Sequence, residues 1–167
     1  MNYSEIKFPD IANGPGARVS LFVSGCSMHC EGCFNSMTWD RYYGQEFDET
    51  VENYLLDLLS RPYIQGLSLL GGEPFLDGCN EPVLAEFTQK VRSQFPEKDI
   101  WCWSGFMFED LLDTRLIHLI DILVDGPFIS LKKSIGLQYR GSSNQRVIKV
   151  PESIKAGRLI LLETNDR

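Results

Sequence analysis

No run of about 18 apolar residues occurs in this 167-residue chain, so nothing in it reads as a membrane span. The N-terminal stretch Met1-Asn-Tyr-Ser-Glu-Ile-Lys7 lacks an apolar h-region. No secretory signal is therefore expected, and a cytoplasmic location is. Positive charge is scarce: 16 Lys and Arg stand against 23 Asp and Glu, a net charge of −7. Nucleic-acid binders usually show a basic footprint, so a nucleic-acid partner is not expected. The chain has no internal repeat, no low-complexity segment and no linker. At this length one domain is expected, spanning residues 1–167 with a core over about 15–150 and an extension over 151–167. The chain is also too short for a closed (β/α)8 barrel, which needs about 250 residues.

What is present begins with five cysteines, an odd number poorly suited to disulfides in a reducing compartment. Three are bunched in Ser24-Gly-Cys-Ser-Met-His-Cys-Glu-Gly-Cys-Phe-Asn35, where Cys26, Cys30 and Cys33 form a C-x3-C-x2-C pattern. Three thiolates so close can converge only on something small and multivalent. A closed structural zinc site takes four ligands, and His29, Cys79 or Cys102 could supply the fourth. A purely electron-carrying [4Fe–4S] cluster takes four cysteines, and none lies near enough in sequence. A three-cysteine [4Fe–4S] cluster leaves one iron open to a chelating small molecule. The count favours this last reading, and the spacing alone leaves the other two standing.

The cysteine loop follows Val19–Val23, a short apolar run that reads as a buried strand. Residues 1–18 read as an ordered lead-in loop. Asp48-Glu-Thr50 offers N-cap chemistry for a helix with the stripe Val51, Tyr54, Leu55, Leu58 and Leu59, stopped by Pro62. Leu67–Leu70 reads as a strand running into Gly71-Gly-Glu-Pro74. Asn80-Glu-Pro82 opens a second helix, with Val83, Leu84, Phe87 and Val91 on its apolar face. Ile100–Trp103 and Ile122–Val124 read as further strands, with short helical pieces at 108–112 and 116–120 between them. Gln145–Val150 and Arg158–Leu162 complete the strand set. Such alternation predicts a single α/β domain with a mostly parallel sheet and right-handed crossovers. Ligands in such folds sit beyond the carboxyl ends of the strands. Ser24-Gly25-Cys26, Gly71-Gly72-Glu73, Ser104-Gly105 and Asp125-Gly126 all fall there, which predicts one shared active face.

Several residues carry two readings each. Gly71-Gly72 offers backbone that a ligand can approach closely, or is a tight turn. It has neither the lysine of a P-loop nor the third glycine of a dinucleotide fingerprint. Asp125 either contacts a ligand or shapes the turn of Asp-Gly-Pro. Arg140-Gly-Ser-Ser-Asn-Gln-Arg146 could bind a carboxylate or a partner chain, or remain a solvated loop. Cys79 reads as an ordinary thiol at a helix start and Cys102 as core. Trp101 and Trp103, on one face of their strand, read as packing.

Taken together, these stretches resemble the radical S-adenosylmethionine (SAM) enzymes. Within that superfamily the chain is similar to the activating proteins of anaerobic (class III) ribonucleoside-triphosphate reductases. The resemblance rests on Asn13–Gly16, Leu21–Asn35, Ser36–Trp39, Gly71–Pro74, Lys98–Trp101 with Trp103–Gly105, Val124–Gly126 and Arg140–Gln145. It implies a partial (βα) barrel of radical SAM type. Cys26, Cys30 and Cys33 would hold a [4Fe–4S] cluster whose fourth iron takes the amino and carboxylate groups of SAM. The backbone of Gly71, Gly72 and Glu73 would accept from the SAM amino group, and the backbone around Gly32, Cys33 and Phe34 would contact the adenine; Asp125 is a further candidate contact. An electron would cleave SAM to methionine and a 5′-deoxyadenosyl radical, which would take hydrogen from a glycine of the reductase large subunit. A flavodoxin or ferredoxin would supply the electron. Gly32 stands where many radical SAM loops carry an aromatic, and Phe34 where this subgroup commonly has Tyr. Another glycyl-radical enzyme or a small molecule is an alternative substrate, and a zinc-binding interaction module an alternative of another class.

Overall fold

The computed structural model describes residues 1–166. Seven strands form one sheet: β1 (Asn2–Asp10), β2 (Ala17–Val23), β3 (Gln45–Glu46), β4 (Ile64–Gly71), β5 (Asp99–Trp103), β6 (Ile122–Asp125) and β7 (Arg146–Lys149), in spatial order β3-β1-β2-β4-β5-β6-β7. The central run β2-β4-β5-β6 is parallel, while β1 and β7 join it antiparallel at either side. The expected α/β domain with a mostly parallel sheet is thus observed, in mixed form. Among the described residues no helix is long and apolar enough to cross a membrane.

Two expectations are corrected. The lead-in segment is strand β1, not a loop. From Ser4 to Pro9 its side chains alternate between half-buried and exposed, so the polar half of an outlying strand hides its period in the sequence. At the other end, Arg158–Leu162 forms no strand and contributes a single bridge, Ile148 to Leu161. Between β7 and this segment lies a helix the periodicity did not reveal, α3 (Val150–Ala156). It carries Pro151 in its first turn and is closed by Gly157 in the left-handed region.

The two longer helices, α1 (Glu49–Leu59) and α2 (Asn80–Gln94), begin where expected. Asp48 caps α1 by accepting from the Val51 amide at 2.9 Å. The α1 stripe buries Leu55, Leu58 and Leu59, but Tyr54 is 51% exposed and the helix ends before Pro62. Leu84, Phe87 and Val91 of α2 pack with them against β2, β4 and β5, forming the main core. The other face of the sheet carries a smaller cluster of Trp101, Val124 and Val147, backed by Trp103, Tyr139 and Leu162. The pair Trp101 and Trp103 stack with ring centroids 5.8 Å apart.

Arg18 lies beneath this second face, fully buried. Burial would pull its pKa down, and the Asp99 carboxylate 2.5 Å away opposes that. Its Nε donates to Ser68 Oγ at 2.7 Å, and Ser68 in turn donates to the Asn13 carbonyl at 2.6 Å. One buried cation therefore anchors the Asn13–Gly16 loop over the sheet. Gly14 is required there: at φ 113° it lies so close that a Cβ would sit 2.9 Å from the Arg18 side chain. Arg18→Ala is expected to destabilise the fold by about 3 kcal/mol, measured by denaturant unfolding, since Asp99 would lose its partner. Arg18→Lys should recover only part of this loss, lacking the forked donors.

Candidate cofactor site

The carboxyl ends of β2, β4, β5 and β6 open onto one cavity of about 410 Å³. Its walls include Cys26, Met28, Cys30, Cys33 and Phe34 from the cysteine loop, Gly71 at the end of β4, and Gly72 and Glu73 from the turn that follows. Ser104-Gly105, Gly126 and the segment from Phe128 to Gln145 complete it. The predicted convergence of strand-end loops is what the chain builds. Gly32 sits just outside, at φ 72°, a conformation that favours glycine, and a Cβ there would press on the Ser130 side chain at 3.3 Å.

The cysteine loop is pinned at its stem. The Gly25 amide donates to the Thr38 carbonyl at 2.7 Å, and the Cys33 amide to the Cys30 carbonyl at 3.1 Å. All three thiols are half-buried, and desolvation pushes the Cys26 thiol above its ordinary pKa, with the nearby Glu73 charge adding to it. His29 turns aside and stacks on Trp39 at 4.6 Å between ring centroids. Among the described residues no three His, Cys, Asp or Glu groups are gathered tightly enough for a single metal ion. A zinc site would need its ligands within about 2.3 Å of one point. A cluster distributes its thiolates over separate irons and asks only that they face one space. Three soft donors lining a shared cavity fit that second requirement.

The two glycines at the end of β4 serve a closer purpose than ligand access alone. A Cβ on Gly72 would lie 2.5 Å from the Gly25 carbonyl oxygen, and one on Gly71 2.8 Å from the Val23 amide nitrogen. The turn and the cysteine-loop stem thus interlock backbone to backbone. The Gly72 amide donates to the Val23 carbonyl at 2.7 Å and the Glu73 amide to the Gly25 carbonyl at 2.8 Å.

Glu73 itself is fully buried. Its carboxylate accepts from the Phe75 amide at 3.0 Å, the Ser104 hydroxyl at 2.8 Å and the Gly105 amide at 2.8 Å. These bonds favour the charged form, but desolvation outweighs them and lifts the carboxyl to about 7. Met28 then packs on Gly105, where a Cβ would come within 2.6 Å of its side chain.

Asn80 was legible only as a helix start. Its fully buried amide donates to the carbonyls of Ser24 (2.8 Å), Glu73 (2.9 Å) and, at longer range, Gly25 (3.4 Å). One side chain at the first turn of α2 therefore ties the cysteine loop to the glycine turn. No sequence signal separates this asparagine from an ordinary helix-opening one, because its partners are backbone carbonyls 7 and about 56 residues away.

The remaining candidates fall off the cavity or take other roles. Asp125 is buried and spends its carboxylate on Arg146, which also grips Glu109 at 2.8 Å, and on the Phe108 amide at 2.8 Å. It is the following residue, Gly126, that lines the cavity. Arg140 does line it, as part of an ordered wall rather than a solvated loop: it donates to the Gln145 carbonyl at 3.0 Å and pairs with Asp166 of the C-terminal segment. Trp103, read as packing, also lines the cavity and donates to the Tyr139 carbonyl at 2.7 Å. Cys79 and Cys102 are buried away from it, Cys102 with its thiol pKa pushed well up by desolvation.

A loop of three cysteines at a strand end, facing a cavity closed by a glycine turn, is an arrangement that suits an iron–sulfur cluster. The family model of the 4Fe-4S single cluster domain matches residues 12–148. The anaerobic ribonucleoside-triphosphate reductase-activating protein of Enterobacteria phage T4 is 42% identical over 149 residues, covering 88% of this chain and 93% of that protein. The protein of the same name from Escherichia coli K12 is 42% identical over 151 residues, covering 88% and 97%. The Vibrio cholerae one is 40% identical over 149 residues, covering 87% and 96%. The chain belongs to this family of activating proteins.

Two outcomes are expected from the buried network. Glu73, an acid whose pKa is raised from 4.5 to about 7, keeps a proton in the folded chain that the unfolded chain has lost. Stability of the cofactor-free chain should therefore fall as pH rises from about 4.5 to 7, by up to about 3 kcal/mol from this group. Glu73→Gln should flatten that decline in denaturation measured across the range. Asn80→Ala should cost about 2 kcal/mol by leaving buried carbonyls unpaired. Hydrogen exchange should place the loosening in residues 24–33 and 71–76 ahead of β7.

Proposed function

We propose that this chain is a radical SAM activase for an anaerobic ribonucleoside-triphosphate reductase, generating a glycyl radical on the reductase large subunit. One observation carries the reading: three cysteine thiols and a glycine turn face one cavity of about 410 Å³, in a chain of the activating-protein family. The partial barrel of radical SAM type belongs to the same proposal, as do a core over about 15–150 and an extension over 151–167. So do a cytoplasmic setting and a flavodoxin or ferredoxin as electron donor.

Bound in the cavity, a [4Fe–4S] cluster and SAM supply the reductive cleavage of a sulfonium C–S bond and the abstraction of a hydrogen atom from glycine. The protein's share is to bind, orient and exclude water. Cys26, Cys30 and Cys33 hold the cluster, and each must give up its proton to do so; the raised Cys26 thiol makes that step dependent on the metal's presence. The backbone of Gly71, Gly72 and Glu73 meets the amino group of SAM. The Glu73 carbonyl also accepts from Asn80 and from the Leu76 amide, which would hold this stretch of backbone in place for that contact. Gly32, Cys33 and Phe34 present backbone to the adenine. Asp125 acts at one remove, fixing the Asp125-Gly126 turn through Arg146.

Anaerobic reconstitution with iron and sulfide, then reduction by dithionite with SAM present, should yield 5′-deoxyadenosine; its absence overturns the proposal. Replacing Cys26, Cys30 or Cys33 singly with Ala should abolish the broad iron–sulfur absorbance and SAM cleavage together.

A further inference from the structure

The four most exposed large apolar side chains all belong to segments that wall the cavity. Ile135 is 100% exposed, Leu131 97%, Phe34 94% and Ile11 80%. Phe34 is itself a wall residue, Ile11 precedes wall residue Ala12, and Leu131 and Ile135 lie between wall residues Phe128 and Leu137. The cysteine loop and the 128–137 segment touch, since Ser130 lies within 3.3 Å of a Cβ placed on Gly32. Nor is their exposure the slack of an untethered loop. The Ser143 amide donates to the Lys132 carbonyl at 2.9 Å, Ser142 Oγ accepts from the Ile129 amide at 3.2 Å, and Asn144 Nδ2 donates to the Pro127 carbonyl at 2.8 Å. An ordered segment that holds such side chains in water marks an interaction surface.

Charge says what kind. The chain carries a net charge of −7, yet no Asp or Glu occurs between Asp125 and Glu152, a stretch that holds Lys132, Lys133, Arg140, Arg146 and Lys149. Arg140 and Arg146 are paired with Asp166 and with Asp125 and Glu109. Lys132 and Lys133, both exposed, have no ion pair among the described residues and sit between Leu131 and Ile135. The 128–137 side of the mouth thus holds exposed apolar side chains with a local positive edge on an acidic protein, while the cysteine loop beside it carries the exposed acid Glu31.

We infer that this mouth is a docking collar for an apolar segment with acidic flanks, carried by the protein substrate whose glycine enters the cavity. The inference rests on the activase reading above. The apolar side chains supply the desolvated centre of the contact, and the two lysines set its register and speed its encounter. A basic or purely polar segment would leave the collar apolar surface wet and face Lys132 and Lys133 with like charge.

The test uses the reconstituted full chain and the anaerobic reductase large subunit encoded in the same genome. Leu131→Ser with Ile135→Ser is expected to weaken reductase binding about tenfold or more. Lys132→Glu with Lys133→Glu should weaken it too and remove most of its salt dependence. Dithionite-driven formation of 5′-deoxyadenosine without the reductase should be unchanged in both, and so should the melting temperature. Unchanged reductase affinity in both variants overturns the collar. So does self-association that the substitutions abolish with reductase binding untouched. A wild-type chain that forms no 5′-deoxyadenosine overturns the activase reading instead, and the binding comparison still judges the collar.

Discussion

The site depends on one buried amide. Asn80 donates to backbone carbonyls on two loops that also meet through the Gly72 and Glu73 amides. Strand pairing fixes Val23 beside Gly71, and the bonds from the Gly72 amide to Val23 and from the Glu73 amide to Gly25 carry the contact one step further. The asparagine adds a side-chain tie from within, at the cost of burying an amide whose donors must all be met. Glu73 extends the same arrangement sideways to Ser104 and Gly105. Three of the four strand-end loops become one body before any cofactor arrives.

Electrostatics shape this body as much as packing does. A carboxylate without solvent contact sits close enough to raise the Cys26 thiol, and its own ionisation is opposed by burial. The cavity side of the sheet therefore disfavours uncompensated negative charge. Soft thiolates become comfortable there once a cation shares the space. The opposite wall contributes its own balance: Arg140 is the one cationic side chain among the described lining residues, and the Asp166 side chain pairs with it.

Much of this was legible in the residues, and the illegible part has definable causes. The cysteine spacing, the glycine turn and the apolar runs before them speak through local pattern, so strands β2, β4, β5 and β6 and the shared face could be read directly. Strand β1 could not, because its side chains alternate between half-burial and water and its partner is chosen by β2. Helix α3 is short, and its buried residues, Val150 and Ser153, are too few to declare a period. Asn80 and the Glu73 carboxylate were missed for another reason: their partners are mostly main-chain groups, which carry no identity in a sequence. Tyr54 marks the converse error, an apolar residue placed by periodicity on a face that the fold leaves half in water.

The interlock of Gly72 with Gly25 divides the cavity into unlike halves. On one side two backbones meet with no space for even a methyl group, so that wall can neither recede nor swell. On the other, the segment from Phe128 to Gln145 is held by its own turns, by side-chain amides, by the Trp103 donor to Tyr139 and by the Arg140–Asp166 pair, the last three being side-chain ties rather than a backbone interlock. Change in the size of what the cavity admits must therefore be written into the second wall, much as a vice with one fixed jaw is set by moving the other.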